Sequence, residues 1–185
     1  MKKLSISLIF CAVTVFSADL LYPVSAIPDA LKANAHTVYR EQKCELTINS
    51  ENSATAKIVE VRTILNKNGE KNVKFIESYN PMNKISSIKA TVYDQNGKKV
   101  HTRGMDDVFD RSAIGYSLYD DNRVYILDPN YLTYPFTVKY EYDINFKQTL
   151  FLPGIFLPDY NTSYEDIEFK VTTPAGFDLK YNENK

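Results

Sequence analysis

From residue 35 onward, apolar and polar side chains alternate with period two, the spacing of a strand that keeps one face dry and one wet. The clearest stretch sets Phe136, Val138, Tyr140, Tyr142, Ile144 and Phe146 on one face, against Thr137, Lys139, Glu141, Asp143, Asn145 and Lys147 on the other. Similar patterns predict strands at Val38 to Ile48, at Ile58 to Leu65 with Val59, Val61 and Leu65 on one side, at Val73 to Tyr79 and at Ile85 to Tyr93. Further strands are expected at Arg123 to Leu127, Ile167 to Val171 and Phe177 to Tyr181. Asn66-Lys67-Asn68-Gly69 and Gln95-Asn96-Gly97-Lys98 each hold an Asn-Gly pair, which tolerates the positive φ of tight hairpins, so at least two hairpins are expected.

One stretch, Ile27 to Asn34, reads as a short helix with Pro28 in its first turn and Asn34 at its end. Strands in this number, joined by hairpins, predict an all-β fold: an antiparallel β-sandwich with one short N-terminal helix. Prolines 129, 135, 153, 158 and 174 fit edges, bulges and loops better than central ladder positions.

The N-terminus has a different character. Met1-Lys2-Lys3 is a short basic start, Leu4 to Phe16 an apolar run, and Val15-Phe16-Ser17 a small-residue cleavage site, the pattern of a secretory signal peptide over residues 1–17. The apolar run falls short of the roughly 20 residues that a helix needs to cross a bilayer, so no membrane span is expected after cleavage. Lipoprotein processing at Cys11 is disfavoured because Phe10 stands where a small residue is required. A leader with the short helix is expected over 18–33 and the β-sandwich domain over 34–185. The expected location is extracytoplasmic, periplasmic or secreted.

After cleavage, 168 of the 185 residues remain, enough for one domain burying roughly 70% of its unfolded surface. Its single cysteine, Cys44, rules out an internal disulfide. The 22 basic and 23 acidic residues are interspersed, giving a net charge of -1 and no basic footprint for nucleic acid or an anionic membrane. Fourteen Tyr, ten Phe and no Trp favour strands.

Candidate chemistry is sparse. Cys44 shares parity with Val38, Leu46 and Ile48 and reads as a small core residue rather than a nucleophile. His36 and His101 are isolated, so no zinc site of ordinary ligand spacing is available, and no cofactor is expected. Asp106-Asp107, Asp110 and Asp120-Asp121-Asn122 form one acidic concentration, without the glycine and distal Glu of a calcium loop. It reads as a solvated loop, with a calcium or paired-carboxylate site as the competing reading. Tyrosines 116, 119, 125, 131 and 134 suit either a sugar- or peptide-binding face or a buried aromatic half-sandwich. Asn161-Thr162-Ser163 fits a glycosylation sequon, a pattern common by chance. No catalytic or metal-ligating residue is predicted, and binding residues are not identified.

Ile27-Pro28, Leu31, Asn34-Ala35, Val38 and Arg40, then Ile64-Leu65-Asn66 with Gly69, resemble the start of a bacterial β-domain family, domain-of-unknown-function family 3857. The similarity continues through Tyr79, Ile85, Ile88, Ala90, Tyr93 and Asn96-Gly97-Lys98, then Asp107, Asp110, Ser112-Ala113 and Ser117-Leu118-Tyr119-Asp120. It runs on through Asn122-Arg123, Tyr134-Pro135, Val138, Tyr140-Glu141-Tyr142 and Pro158, and ends with Phe169, Val171 and Pro174. The resemblance implies an N-terminal extracytoplasmic β-sandwich module preceding a transglutaminase-like domain that carries the thiol chemistry. None of that domain's catalytic motifs falls on this sequence, and the ending at Asn182-Glu183-Asn184-Lys185 reads as a cut at a domain boundary.

The function expected from these readings is a non-catalytic module with an interaction or positioning role beside a downstream transglutaminase- or protease-like domain in cis. The alternatives are a stand-alone glycan- or peptide-binding module of the cell envelope and a hydrolase built on the aspartate cluster.

Overall fold

The computed structural model describes residues 20–113, 122–155, 157 and 160–177. Ten strands fall within them: β1 (Thr37–Ser50), β2 (Ser53–Ile64), β3 (Phe75–Tyr79), β4 (Asn83–Tyr93), β5 (Lys99–Gly104), β6 (Phe109–Ser112), β7 (Arg123–Leu127), β8 (Phe136–Phe146), β9 (Thr162–Tyr164) and β10 (Ile167–Thr172). The large sheet runs β10-β1-β2-β8-β4-β5, with β9 also on β1, and the small sheet runs β3-β7-β6. The fold is all-β, as the alternation predicts.

β8 is the spine of the large sheet, and its six apolar positions are all buried. Small residues on its neighbours make room for its larger side chains: Ala54 lies opposite Phe146, Ala56 opposite Ile144 and Ala90 opposite Tyr140. The small sheet lies over this face, with the Phe75 ring 4.9 Å edge-on from Tyr142 and 5.6 Å from Tyr140.

Part of the outer face of the large sheet is dry as well, around Val38, Val61, Thr63 and Thr137, while Glu141 and Asp143 are half-exposed and Asn145 exposed. The leader crosses it, with Leu21 N–H donating to the Gly97 carbonyl and Val24 N–H to that of Gln95, while Tyr22 packs edge-on against Tyr93. A second apolar cluster of Ile27, Ala35 and Val38 forms nearby. The helix α1 covers only Asp29–Lys32, shorter than the expected Ile27 to Asn34, because Pro28 stands outside it as the N-cap and Val24–Ala26 forms a separate 3-10 turn.

Two local expectations are corrected, and the facing of β2 is resolved. Val38 and Cys44 do not share a face: an irregularity at Arg40 places Tyr39 opposite Arg62 but Glu41 opposite Val61, so parity reverses and Val38 joins the outer cluster while Cys44 faces the core. In β2 the residues facing the small sheet are Ile58, Glu60, Arg62 and Ile64, and Val59, Val61 and Leu65 share the opposite side. Asn66-Lys67-Asn68-Gly69 is not a hairpin. Asn66 Oδ1 accepts from Asn68 N–H and caps a 3-10 stretch, Lys67–Asn72, which carries the chain to the other sheet. Gly69 is needed there for close approach, since a Cβ would lie 2.6 Å from the His36 carbonyl.

The other Asn-Gly turn does close a hairpin between β4 and β5, with Gly97 at φ +86° and Asp94 Oδ1 accepting from Asn96 and Lys98 N–H. β1 and β2 form a second hairpin through Glu51 and Asn52. Prolines 129, 135, 153 and 174 all lie outside strands, and Tyr134–Pro135 is a cis peptide; Pro158 lies outside the described residues. Beyond β8 the chain crosses to the far edge and lays β9 and β10 parallel to β1, a pairing that the hairpin pattern did not announce. Phe177 is not in a strand, and the rest of the expected strand to Tyr181 lies outside the described residues.

Candidate functional site

The small sheet is narrower than the face it covers. β3, its edge, lies over β2 and β8, and beside it the segment Leu152 to Ile155 packs against the core. Between them opens a cleft of about 320 Å³ lined by β1, β2, β8, Glu77 of β3 and Pro153 to Ile155.

Its floor holds an ion pair inside the sandwich. Arg62 donates from Nε and Nη2 to Glu60 Oε2, and each side chain is only 12% exposed. Arg62 Nη1 donates to the carbonyls of Asn72 and Lys74, both at 3.2 Å, on the approach to β3. The rings of Tyr39 and Tyr140 flank the guanidinium at 5.4 and 5.1 Å. Burial disfavours the Arg62 charge, but Glu60 and the two tyrosines outweigh it and hold the group above its ordinary range. Glu60 Oε1 accepts from Tyr142 at 3.0 Å, and Tyr142 is raised by burial and then by Glu60 and Glu77. The Glu77 carboxyl has no hydrogen bond among the described residues, and burial, reinforced by Glu60 and opposed by Arg62, pushes it up to about 7. Gln42 Oε1 on β1 is buried with no partner among the described residues.

Cys44 also lines the cleft, and burial pushes its thiol up to about 11, the reverse of what an activated nucleophile needs. Neither histidine lines the cleft. His36 Nδ1 lies 3.4 Å from the Asn66 amide, and His101 Nε2 lies 2.6 Å from the Pro129 carbonyl. Of the acidic concentration, Asp107 and Asp110 are engaged separately. Asp107 accepts from Arg103 and from Gly104 N–H, and Asp110 from Tyr79 and Arg123. Asp120 and Asp121 lie outside the described residues, and among those described no group of three or more His, Cys, Asp or Glu could hold a metal ion.

The described tyrosines serve packing. The Tyr125 ring lies 4.3 Å from Tyr79, tilted by 48°, and Tyr131 and Tyr134 lie 5.1 and 5.6 Å from Phe136, with Tyr134 donating to Glu70. Tyr116 and Tyr119 lie outside the described residues. Asn161, at φ +65°, precedes β9, and its carbonyl accepts from His36 N–H.

Sequence reasoning did not single out Glu60, Arg62, Glu77 and Gln42. A signal for the first two was present: charges at alternate positions between Ile58 and Ile64, in a strand apolar at nearly every other site.

Fold and cleft together define a two-sheet β module with a polar seam. Residues 50–185 match the family described as a domain of unknown function with a solved structure, DUF3857, and the chain belongs to that family. No curated protein matches the chain. Among solved structures, one described as a "putative protease" from Parabacteroides distasonis aligns with TM-score 0.63 and 13% identity over 76% of this chain. The chain spans only 29% of that protein, and at this identity the match speaks for the fold alone. An M1 zinc metallopeptidase from Deinococcus radiodurans aligns at TM-score 0.33 and 12% identity, over 69% of this chain and 25% of that one, too loosely to bear on the fold.

Proposed function

We propose that this chain is a non-catalytic, extracytoplasmic β-sandwich module that positions a protease- or transglutaminase-like domain lying outside these 185 residues. The observation that carries the reading is the state of Cys44: buried, with its thiol raised to about 11 and no histidine among the residues lining its cleft. A thiol enzyme needs the opposite arrangement, a cysteine of lowered pKa within reach of a base. The fold shared with part of a much longer protein described as a protease supports a modular role. The basic, then apolar, then small pattern of residues 1–17 supports export, and among the described residues no helix is long and apolar enough to cross a membrane. The packing of Tyr125, Tyr131 and Tyr134 into the sandwich weighs against a tyrosine-lined glycan face.

The test is turnover of peptide and acyl-transfer substrates by the purified, exported protein and its Cys44→Ala variant. No thiol-dependent turnover in either is expected. Turnover present in the parent and lost in Cys44→Ala would overturn the reading.

A further inference from the structure

The polar groups of the cleft divide into a matched half and an unmatched half. Every nitrogen of Arg62 is engaged, and both oxygens of Glu60 accept, from Arg62 and Tyr142. On the other side stand the Glu77 carboxyl and the buried Gln42 Oε1, neither with a hydrogen-bond partner among the described residues. Leaving such groups desolvated and unpaired costs about 1–3 kcal/mol each, and more for a charge. The unmet capacity is therefore for a donor. An amide can turn either end to a ligand, so Glu77 sets the sign: Glu60 and Arg62 cancel, Lys43 of the lining pairs with Asp166 at 3.0 Å and Glu41 at 3.7 Å, and an ionised Glu77 leaves the cleft one unmatched negative charge.

The lining narrows the choice further. Ile58, Ile144 and Ile155 are aliphatic walls, and the Tyr39 and Tyr142 rings border the same space. A metal ion would find Glu60 already bound to a guanidinium, with too few free oxygens remaining. The volume of about 320 Å³ lies at the small end of ligand pockets, roughly 300–1,000 Å³.

We propose that this cleft binds an alkylammonium group, its charge received by Glu77 and the Gln42 amide and its apolar stem by Ile144 and Ile155. The amine belongs either to a small molecule or to a lysine side chain of a partner protein. This assignment does not depend on whether the chain is catalytic.

One consequence is a pH signature. Glu77 is faced by Glu60 and Arg62 of β2, by Tyr142 of β8, by Tyr39, Lys43 and Cys44 of β1, and by Tyr125 opposite it on β7. The tyrosines of β1 and β8, Lys43 and Cys44 are all raised, so none of these changes charge between about pH 6 and 8. Because Glu77 ionises near 7, ammonium affinity should rise up to about tenfold as pH increases across that interval.

The experiment is a backbone-amide NMR titration of the 15N-labelled protein with n-butylammonium chloride, with n-butanol and sodium butyrate as uncharged and anionic controls. Saturable shifts at Gln42, Cys44, Glu60 and Glu77, stronger at higher pH and absent with both controls, are expected. Glu77→Gln should weaken the titration at least tenfold, and Gln42→Leu, at a partly exposed position, should weaken it without unfolding the protein. Tighter binding of N-acetyl-lysine N-methylamide than of n-butylammonium supports a partner lysine, and the reverse order a small amine. No saturable shift up to the solubility limit, equal shifts with n-butanol, or binding unchanged in both variants would overturn the proposal.

Discussion

Glu77 turns the cleft into a measurable dependence of stability on pH. Its carboxyl moves from an ordinary 4.5 to about 7 because burial and the neighbouring Glu60 disfavour its charge more than Arg62 favours it. The folded state therefore holds this proton more tightly than the unfolded chain. The contribution is full below 4.5, falls as pH rises between 4.5 and about 7, and is gone above. At about 1.4 kcal/mol for each tenfold change in proton affinity, an ionised Glu77 costs the fold at most about 3 kcal/mol; solvent reaching the half-buried side chain brings the expected figure nearer 2 kcal/mol. Glu77→Gln removes the charge and keeps the shape. In urea titrations the variant should match the parent within roughly 0.5 kcal/mol near pH 4.5 and exceed it by about 2 kcal/mol near pH 8. An equal stability difference at both pH values, or a variant less stable at the higher one, would refute the argument.

Three further predictions concern the interior and the turns. Glu60→Ala leaves Arg62 and the Tyr142 hydroxyl without their acceptor and should cost about 3–5 kcal/mol in urea unfolding; a loss below about 1 kcal/mol would show that the pair is solvated. Gly97→Ala meets both a φ of +86° and the Leu21 carbonyl 2.6 Å away, whereas Gly176→Ala, at φ +84°, meets nothing within 4 Å. Thermal unfolding should drop by several degrees more for the first, at roughly 2–4 °C per kcal/mol, and equal drops would refute the close contact. Cys44, raised from 9.0 to about 11, should react with a disulfide reagent near neutral pH about a hundredfold more slowly in the folded protein than in urea, and comparable rates would refute its burial.

The sheets were legible where one face of a strand is wet and hidden where both are dry. β8 announces itself because Lys139, Glu141 and Asp143 alternate with buried rings, and its ends fall at Phe136 and Phe146 as read. β2 has apolar residues at both parities, since the leader covers its outer face as the small sheet covers its inner one. With apolar residues on both sides of β2, its sequence does not tell which side meets the small sheet, and Glu60 and Arg62 lie hidden among them. In β1 the Arg40 irregularity misplaces Val38 beside Cys44, because one extra residue exchanges the faces on either side of it. Asn68-Gly69 had the chemistry of a hairpin, yet Gly69 is required by the His36 carbonyl pressed against it, a contact between residues distant in sequence. The cleft was illegible for the same reason: Gln42, Glu60 and Glu77 come from three strands, one of them in the other sheet.

The ion pair explains why the cleft lies where it does. A buried Arg and Glu add little net stability, since desolvating two charges nearly offsets their attraction. This pair does something that an apolar substitute would not. Arg62 holds the carbonyls of Asn72 and Lys74 while Tyr140 holds that of Val73, so three successive residues before β3 are fixed to the face of the large sheet. Those bonds set where β3 enters, and β3 carries Glu77. The distance between the small sheet's edge and β1, and with it the opening of the cleft, follows from Arg62, which is itself held straight by Glu60. The unmatched acceptors of the cleft are thus positioned by its matched ones, an arrangement that keeps Glu77 apart from Arg62 rather than letting the two collapse into a second ion pair.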